Sequence, residues 1–216
     1  MFTPCPCPAA TTLTTIPEEG CSQRFGQIQK LIFQRLTSGS TRNGIVAGTS
    51  SGQAGLLASW TALKAATDNT KIVVSPFVEN PTDDGGDAKT VGGGNESLNG
   101  IARVIGSNPI NFSCKLNNKK QDIIAALKAL ICEAQGQNLG VYLVNENGQI
   151  KGVKETVSGT PDVTTWYPIP IQSLFVSDLH HGGLEADDYN DMSFGFAPGY
   201  SDKTDILTLD ASALAL

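Results

Sequence analysis

The sequence predicts an α+β fold that is mainly antiparallel β, in the form of a β-sandwich or barrel with one main flanking helix. Glycine (23) and proline (11) are frequent among the 216 residues, whereas charged residues make up only 17%. This composition favours strands joined by turns over a helical bundle. Short apolar segments separated by turn residues recur along the chain. They do not alternate with helices, which argues against a parallel sheet.

The chain divides into an arm and one domain. Residues 1–22 are rich in Thr and Pro and have no apolar periodicity, which predicts an extended N-terminal arm. Residues 23–216 contain no repeat and no sharp change of composition, and we expect a single β-rich domain. Two polar segments, 37–55 and 79–99, are predicted as inserted loops. The first is longer than most ordered loops, and such loops are usually functional.

Five elements are predicted in the first half of the domain. Phe25–Leu36 fits helical spacing and strand composition about equally well, and its Ile and Phe content favours a strand. Ser59–Ala66 resembles a short helix with Ser59 as N-cap. Lys71–Val74 is expected to be a strand. Residues 101–105 and 110–116 are predicted as two strands joined by a turn at Gly106-Ser107-Asn108-Pro109.

The second half carries the strongest helical signal, at residues 118–134, with Asn117 or Asn118 as N-cap and Gly136 as its end. One apolar stripe supports it: Ile123, Leu127, Leu130 and Ile131. The sequence Asn147-Gly148 predicts a tight hairpin between strands at 141–144 and 149–155. Further strands are expected at 169–176, 192–196 and 206–209. The total is seven to nine strands and two helices.

Charge and hydropathy exclude two classes of protein. There are 15 basic and 21 acidic residues, giving a net charge of −6, so the chain lacks the basic surface that grips nucleic acid. No apolar run approaches the roughly 18 residues of a membrane span, and no membrane partner is expected. The N-terminus lacks the basic and apolar regions of a secretory signal, so we expect synthesis and retention in a cytoplasm.

Two groups of residues suggest metal binding without establishing it. Cys5, Cys7 and Cys21 have a C-x-C spacing with no nearby His, so a packed or extended arm is favoured over a zinc site. His180 and His181 are surrounded by ligand-type carboxylates: Asp178, Glu185, Asp187, Asp188 and Asp191. Adjacent His side chains usually diverge, so a solvated acidic loop is favoured there, with metal binding left as the alternative.

Catalytic and nucleotide-binding motifs are missing from the sequence. The glycine-rich segments 39–44 and 92–97 lack the spacing of phosphate-binding loops. No G-x-S-x-G elbow accompanies His180 and His181. The sequence therefore predicts no enzyme, no catalytic residue, no cofactor and no metal.

Four segments, 25–35, 87–95, 141–150 and 193–203, resemble the major tail (tail tube) proteins and related virion structural proteins of tailed bacteriophages, particularly those of Bacteroides-type hosts. The resemblance implies a virion protein made in the host bacterial cytoplasm. Its partners are copies of itself, in stacked and usually hexameric rings around a lumen through which DNA passes, and other virion proteins. In this family the arm and the long loop, matching residues 37–55, reach the adjacent ring.

On this resemblance, the assembly residues are expected in the loop and the arm: Arg42, Asn43, Ile45, Val46, Cys5 and Cys7. Between Asp178 and Asp210 there are eight acidic residues and one base, Lys203. An acidic lumen wall would repel DNA phosphate and prevent it from sticking. A capsid decoration protein or head–tail connector is the alternative within the virion.

Two further alternatives belong to other classes. A carbohydrate-binding or adhesion module would use exposed aromatic side chains as stacking platforms: Trp60, Trp166, Tyr167 and Tyr189. A hydrolase would use His180 or His181 together with Asp178. Exposed paired aromatics would indicate the first, and a His in a pocket would indicate the second.

Overall fold

A computed structural model describes residues 24–96 and 100–216 of the chain. The chain divides into two compact units. Residues 25–87 and 108–216 form one, called the main unit here. The described part of the other includes residues 88–96 and 100–107, called the hairpin unit. The sequence predicts a single domain over residues 23–216. In the structure, Ala88–Ser107 of that range belong to a separate unit.

The main unit is built on an 11-stranded sheet in which every pairing is antiparallel. Its strands are β1 (Ile28–Arg35), β4 (Ile45–Val46), β5 (Ile72–Val74), β6 (Glu79–Asp83), β9 (Ile110–Asn117), β10 (Leu139–Asn145), β11 (Ile150–Val157), β12 (Val163–Tyr167), β13 (Ile169–Val176), β14 (Tyr189–Phe196) and β15 (Thr204–Leu207). A two-stranded sheet of β2 (Thr37–Ser38) and β3 (Thr41–Arg42) belongs to the same unit. The mainly antiparallel α+β prediction is confirmed.

The hairpin unit contains β7 (Ala88–Val91) and β8 (Arg103–Ser107), which pair with each other. The helices of the main unit are α1 (Leu57–Ala65), α2 (Gln121–Ala129) and α3 (Ile131–Gln135). Short 3-10 turns lie at Gly94–Glu96, Tyr200–Lys203 and Ala213–Ala215. None of the helices in the described ranges is both long and apolar enough to cross a bilayer.

The main sheet divides at β10. One edge of β10 pairs with β1 along its whole length, with Leu31 opposite Leu143. Its other edge pairs with β11 near Val144 and with β13 near Val141. One branch therefore runs β11–β12–β4, and the other runs β13–β14–β9–β6. The result is a sandwich-like fold, and the described strands do not close into a barrel.

Two hydrophobic cores lie on opposite faces of β1 and β10. Leu31 and Val141 face a core formed with β9, β13, β14 and the α2–α3 region. Ile32 and Tyr142 face a second core, which contains Trp60 of α1 as well as Trp166, Ala213 and Leu216. Alternate side chains of a strand point to opposite faces. All seven residues of β10 are buried, which explains why its sequence is apolar without alternation.

The helix predictions are correct in location, and the predicted end at Gly136 is confirmed as the C-cap of α3, but both predicted N-caps are wrong. The N-cap of α1 is Leu56 rather than Ser59, which lies buried inside the helix. The carboxylate of Asp210 takes the capping role, because its Oδ1 accepts a hydrogen bond of 2.7 Å from the Leu57 amide. The predicted helix at 118–134 is realised as α2 and α3, with a break at Leu130 and with Lys120 as N-cap.

The two predicted loops contain strands. Within 37–55, β2 and β3 form a hairpin and β4 pairs with β12. Within 79–99, β6 pairs with β9 and β7 pairs with β8. The strands at 103–107 and 110–117 are present, but each pairs with other strands, so the turn predicted between them does not join a pair. The prediction of seven to nine strands was too low, because six of the fifteen described strands were missed: β2, β3, β4, β6, β7 and β12.

The strands predicted at 25–36, 71–74, 169–176, 192–196 and 206–209 are confirmed within one to three residues at most ends. The hairpin predicted around Asn147-Gly148 is also confirmed. Gly148 has a φ of 73°, a conformation that glycine adopts at little cost. The Asn145 side chain accepts hydrogen bonds from the backbone amides of Asn147 and Gln149. This turn fixes the register of β10 against β11.

Candidate assembly surfaces

The four described residues of the expected assembly set lie at or beside β4 and fall into two classes. Asn43 and Ile45 are buried. The Asn43 side-chain amide donates hydrogen bonds of 2.9 Å to the carbonyl oxygens of Arg35 and Asn69, and Ile45 packs in the second core. Arg42 and Val46 are exposed. Asn43 and Ile45 therefore hold the loop to the main unit, and only Arg42 and Val46 remain available to a partner. Cys5 and Cys7 lie outside the described residues.

Arg42 is held in place by two neighbours. Its guanidinium lies 2.7 Å from the Glu155 carboxylate and 4.0 Å from the centre of the Tyr167 ring. An ion pair that is half exposed contributes little to stability, whereas a guanidinium over an aromatic ring loses side-chain freedom. Arg42 is thus positioned on the surface beside β12, with its charge paired to the Glu155 carboxylate.

The hairpin unit exposes the most concentrated set of apolar side chains. None of its described residues is buried. Four β-branched side chains have exposed fractions between 49 and 68%: Val91, Ile101, Val104 and Ile105. A two-stranded hairpin alone is marginally stable in water, and exposed apolar groups of this kind mark interaction sites. The hairpin unit is therefore the clearest candidate for a surface that a partner covers.

A second apolar position lies at the end of the β11–β12 hairpin. Val157 and Val163 face each other across the two strands, and both side chains are exposed. Directly opposed β-branched residues stabilise a strand pair. Two valines at the exposed tip of a hairpin also offer an apolar contact to a neighbouring molecule.

The outer face of β9 and β14 is polar and consists mostly of short side chains. Ser113 lies opposite Ser193, and Lys115 lies opposite Asp191. On the far side of β9, Glu79 of β6 is also opposite Lys115. At this position in the sheet, the carboxylates of Asp191 and Glu79 therefore flank the ammonium group of Lys115. The inward-facing residues of the same strands, such as Phe112 and Phe194, are buried, so this alternation leaves one polar face.

The His180–His181 loop does not bring together the residues that the metal-binding and hydrolase alternatives require. The His180 ring stacks on Tyr189 at 4.9 Å, and its Nε2 lies 3.5 Å from Asp191 Oδ2. His181 Nδ1 lies 3.4 Å from Asp188 Oδ2. The Asp178 carboxylate instead accepts a hydrogen bond from Lys128 Nζ, so the pairing of Asp178 with a histidine that the hydrolase alternative requires is not formed. The two histidines contact different carboxylates.

Metal-type side chains of the described ranges form no group of three or more that would hold an ion. Cys5, Cys7 and Cys21 lie outside these ranges.

Within the His180–His181 loop, the Gly182 amide and the His181 ring lower the pKa of Asp188. At Cys114, burial and the nearby Asp191 charge raise the thiol pKa to about 12, so this thiol is un-ionised and unreactive at neutral pH.

The aromatic residues named for carbohydrate stacking are used inside the molecule. Trp60 and Trp166 are buried in the second core, and Tyr167 is covered by Arg42. Tyr189 lies between His180 and Lys115, whose ammonium is 4.1 Å from the ring centre. These four side chains therefore form no common exposed platform.

An open groove lies between β4 and α1. Its volume is about 410 Å³, and its lining contains aliphatic side chains and no charged residue. Val46, Leu56, Ala62 and Leu63 contribute to the lining, as does Ser59. Sequence reasoning missed this site, because it depends on α1 and β4 lying side by side.

Comparisons of the chain with protein-family models, with curated proteins and with solved structures find no match.

Proposed function

We propose that this chain is a self-assembling virion structural protein, the subunit of a bacteriophage tail tube. Stacked rings of the subunit would surround a lumen that conducts DNA, and the protein would be located in the virion and have no catalytic activity. The exposed apolar hairpin unit carries the proposal. A segment that places Val91, Ile101, Val104 and Ile105 in solvent gains stability when another molecule covers it.

Three other observations support this proposal. The chain has few charged residues, as expected when much of the surface is buried in contacts between copies. Val157 and Val163 offer a second exposed contact. The outer face of β9 and β14 consists mostly of short polar side chains, and the carboxylates of Asp191 and Glu79 lie opposite Lys115 on it. Such a face suits a wall along which DNA slides, because it offers phosphate no cluster of positive charge.

The decisive experiment removes the hairpin unit without disturbing the main unit. The Asn108 amide donates a hydrogen bond of 2.8 Å to the Asp87 carbonyl oxygen, so the two ends of the removed segment are adjacent. A two-residue Asn-Gly turn is the preferred short link between antiparallel ends. Residues 88–107 are therefore replaced by Asn-Gly.

We expect the unaltered chain to form rings and hollow tubes in negative-stain electron microscopy, with a matching increase of mass in light scattering. The chain with the Asn-Gly link should remain a folded monomer with an unchanged circular-dichroism spectrum in the β region. A control keeps the hairpin and replaces Val91, Ile101, Val104 and Ile105 by Thr, which preserves strand propensity and removes apolar surface. It should also stay monomeric.

Other outcomes contradict the proposal. An unaltered chain that stays monomeric at every concentration would overturn self-assembly. Tubes formed by the chain with the Asn-Gly link would show that the hairpin unit is dispensable. Flat lattices or particles without a lumen would contradict the tail tube and indicate a head protein.

A further inference from the structure

Leu184 is the most exposed large apolar side chain among the described residues. It is fully accessible to solvent, although the His180–His181 loop that carries it is well held. His180 and Tyr189 close the base of the loop with two backbone hydrogen bonds of 2.8 and 3.0 Å. Inside the loop, the Gly182 amide donates a hydrogen bond of 2.9 Å to the Asp188 carboxylate. The loop therefore presents Leu184 to solvent as an apolar knob.

Acidic side chains flank this knob. Glu185 and Asp187 are exposed, and neither carboxylate forms an ion pair with another described residue. A single exposed apolar side chain needs no explanation by itself. Leu184 therefore indicates a contact only if the molecule also offers a matching receptor, apolar inside and positively charged at its rim.

A pocket of this kind is lined by residues from both branches of the main sheet. Its apolar lining comes from β11, from the start of β13 and from the turn after β14: Val153, Ile169, Pro170, Ala197, Pro198 and Tyr200. Pro170 and Pro198 are exposed, so a partner can reach this lining. The Tyr200 ring stacks on Phe196 at 4.2 Å, which fixes one wall. The volume is about 230 Å³, and since a cavity of roughly 150 Å³ takes a benzene ring, one leucine side chain fits.

The charges at the rim of the pocket favour an acidic partner. Three charged side chains belong to the lining: Arg42, Glu155 and Lys203. Arg42 is paired with Glu155, whereas Lys203 is exposed and forms no ion pair with another described residue. The neighbouring Asp202 does not line the pocket. The strands of the hairpin unit carry positive charges and do not complement this rim, whereas the acidic residues beside the knob do.

The knob and the pocket lie at opposite ends of the β13–β14 pair. The His180–His181 loop joins the end of β13 to the start of β14, whereas the pocket contains the start of β13 and the residues after β14. Strands of eight residues separate the two ends by roughly 25 Å, so the knob does not reach the pocket of its own chain. A contact between opposite ends of identical molecules joins them head to tail, which gives a closed ring or an open filament.

We propose that Leu184 of one copy of this chain inserts into the pocket between β11 and β13 of the next copy, with Glu185 beside Lys203 at the rim. The leucine supplies most of the affinity by leaving water, and the two charges orient the loop. This inference rests on the proposed self-assembly and adds a second contact to that of the hairpin unit.

The test reverses the charges across the proposed contact. Glu185→Lys and Lys203→Glu each place like charges at the rim, and both positions are exposed. Either variant alone should raise the concentration needed for assembly, measured by light scattering, at least about tenfold. An equimolar mixture of the two variants should assemble nearly as the unaltered chain does. In the mixture the altered loop meets the altered pocket, and the unaltered loop meets the unaltered pocket.

The apolar part of the contact is tested at the knob itself. Leu184→Ser should also raise the concentration needed for assembly at least about tenfold, because the buried apolar surface is lost. Leu184→Met retains an apolar side chain and should assemble as the unaltered chain does. Lys71→Glu makes the same change of net charge as Lys203→Glu at an exposed position outside the pocket, and its effect on assembly should be much smaller. Thermal unfolding followed by circular dichroism should be the same for all variants.

Each other result has a distinct meaning. If the unaltered chain never assembles, both this inference and the proposed function are wrong. If it assembles and Leu184→Ser has no effect, the knob is not an interface, although self-assembly stands. If Leu184→Ser blocks assembly but the mixture of charge variants gives no recovery, the knob docks elsewhere and the pocket is excluded as its receptor. Filaments without a lumen that respond to every variant as expected would support this contact and contradict the tail tube.

Discussion

Asn43 and Val46 lie three residues apart in the sequence and have opposite roles. The Asn43 amide is buried and donates to two backbone carbonyl oxygens. Asn43→Ala leaves both carbonyls without this partner, and a buried unsatisfied group costs about 1–3 kcal/mol. We therefore expect Asn43→Ala to lower the free energy of unfolding by that amount, measured by urea denaturation. The matched change Val46→Ala, at an exposed position, should stay within about 0.5 kcal/mol.

A stability loss at Val46 as large as that at Asn43 would contradict this division of roles. Sequence reasoning placed both residues in one assembly surface because a Gly- and Ser-rich segment gave no indication of which side chains turn inward. The hydrogen bonds of Asn43 reach Arg35 and Asn69, and neither contact is visible in local spacing. Of the four described candidates for assembly contacts, only Arg42 and Val46 therefore remain accessible to a partner.

The pair of Arg35 and Glu133 gives stability a pH dependence. Arg35 donates from two guanidinium nitrogens to the two oxygens of Glu133, and these hydrogen bonds lower the pKa of Glu133. A carboxyl whose folded pKa is depressed stabilises the fold above its unfolded pKa of about 4.3. That contribution is lost as the pH falls through the lower folded value.

Glu133→Gln should therefore lower the free energy of unfolding by about 0.5 kcal/mol at neutral pH, since the pair is partly exposed. The difference from the unaltered chain should shrink in urea denaturation curves recorded at about pH 3. The control is Glu185→Gln, at an exposed position, which should match the unaltered chain at both values. A loss for Glu133→Gln that is equally large in acid would exclude the ion pair as its cause.

At the scale of elements, Gly148 connects the β10–β11 turn to the end of the chain. A Cβ at this position would lie 2.0 Å from Ser212 Oγ, and the Ala213 amide donates to the Gly148 carbonyl. Gly148→Ala combines a positive φ with a steric overlap, and we expect it to cost more than about 1 kcal/mol in thermal or urea unfolding.

Gly39→Ala is the matched control for this prediction. Gly39 also has a positive φ, of 64°, but a Cβ there meets no atom within 4 Å. Its cost should be limited to the backbone term, about 1 kcal/mol or less. Equal losses at the two glycines would show that the contact with Ser212 does not matter.

Elements with a strong local signal could be predicted from the sequence, and elements formed by pairing alone could not. The β10–β11 hairpin follows from Asn147-Gly148 between apolar runs. The strand β6, with sequence ENPTD, is polar and contains Pro81. It is a strand because its backbone pairs with β9 at the edge of the sheet, with an irregularity between Glu79 and Thr82 that accommodates the proline.

One β-sandwich or barrel was predicted, and the described residues of the main unit contain two cores on either side of β1 and β10. The sequence gives no direct sign of this, since buried residues on both faces of a strand form one apolar run. The alternative of a sugar-stacking platform loses its two tryptophans for the same reason, because Trp60 and Trp166 fill the second core. The candidate groove depends on the same packing of α1 and was equally hidden.

Net charge leads to a prediction at the scale of the whole molecule. Copies with a net charge of −6 repel one another at low salt. The proposed contacts are apolar and are not weakened by screening. Raising NaCl from about 0.05 M to about 0.5 M, where the screening length becomes much shorter, should therefore promote assembly in light scattering. Dissociation of the assembly on adding salt would indicate interfaces held by ion pairs instead.

The pairing of β1 with β10 also has a consequence for how the chain is made. Strand β10 begins about 100 residues after β1 ends. At translation rates of roughly 5–20 residues per second, β1 is made several seconds or more before β10, and only the three-residue strand β5 can pair with it earlier. The segment Leu31–Phe33, which ends up fully buried between two cores, lacks its β10 partner throughout this interval. Ribosome-associated chaperones that shield apolar strands are therefore expected to raise the yield of this protein. The effect should be larger than for a protein whose paired strands lie close together in the sequence.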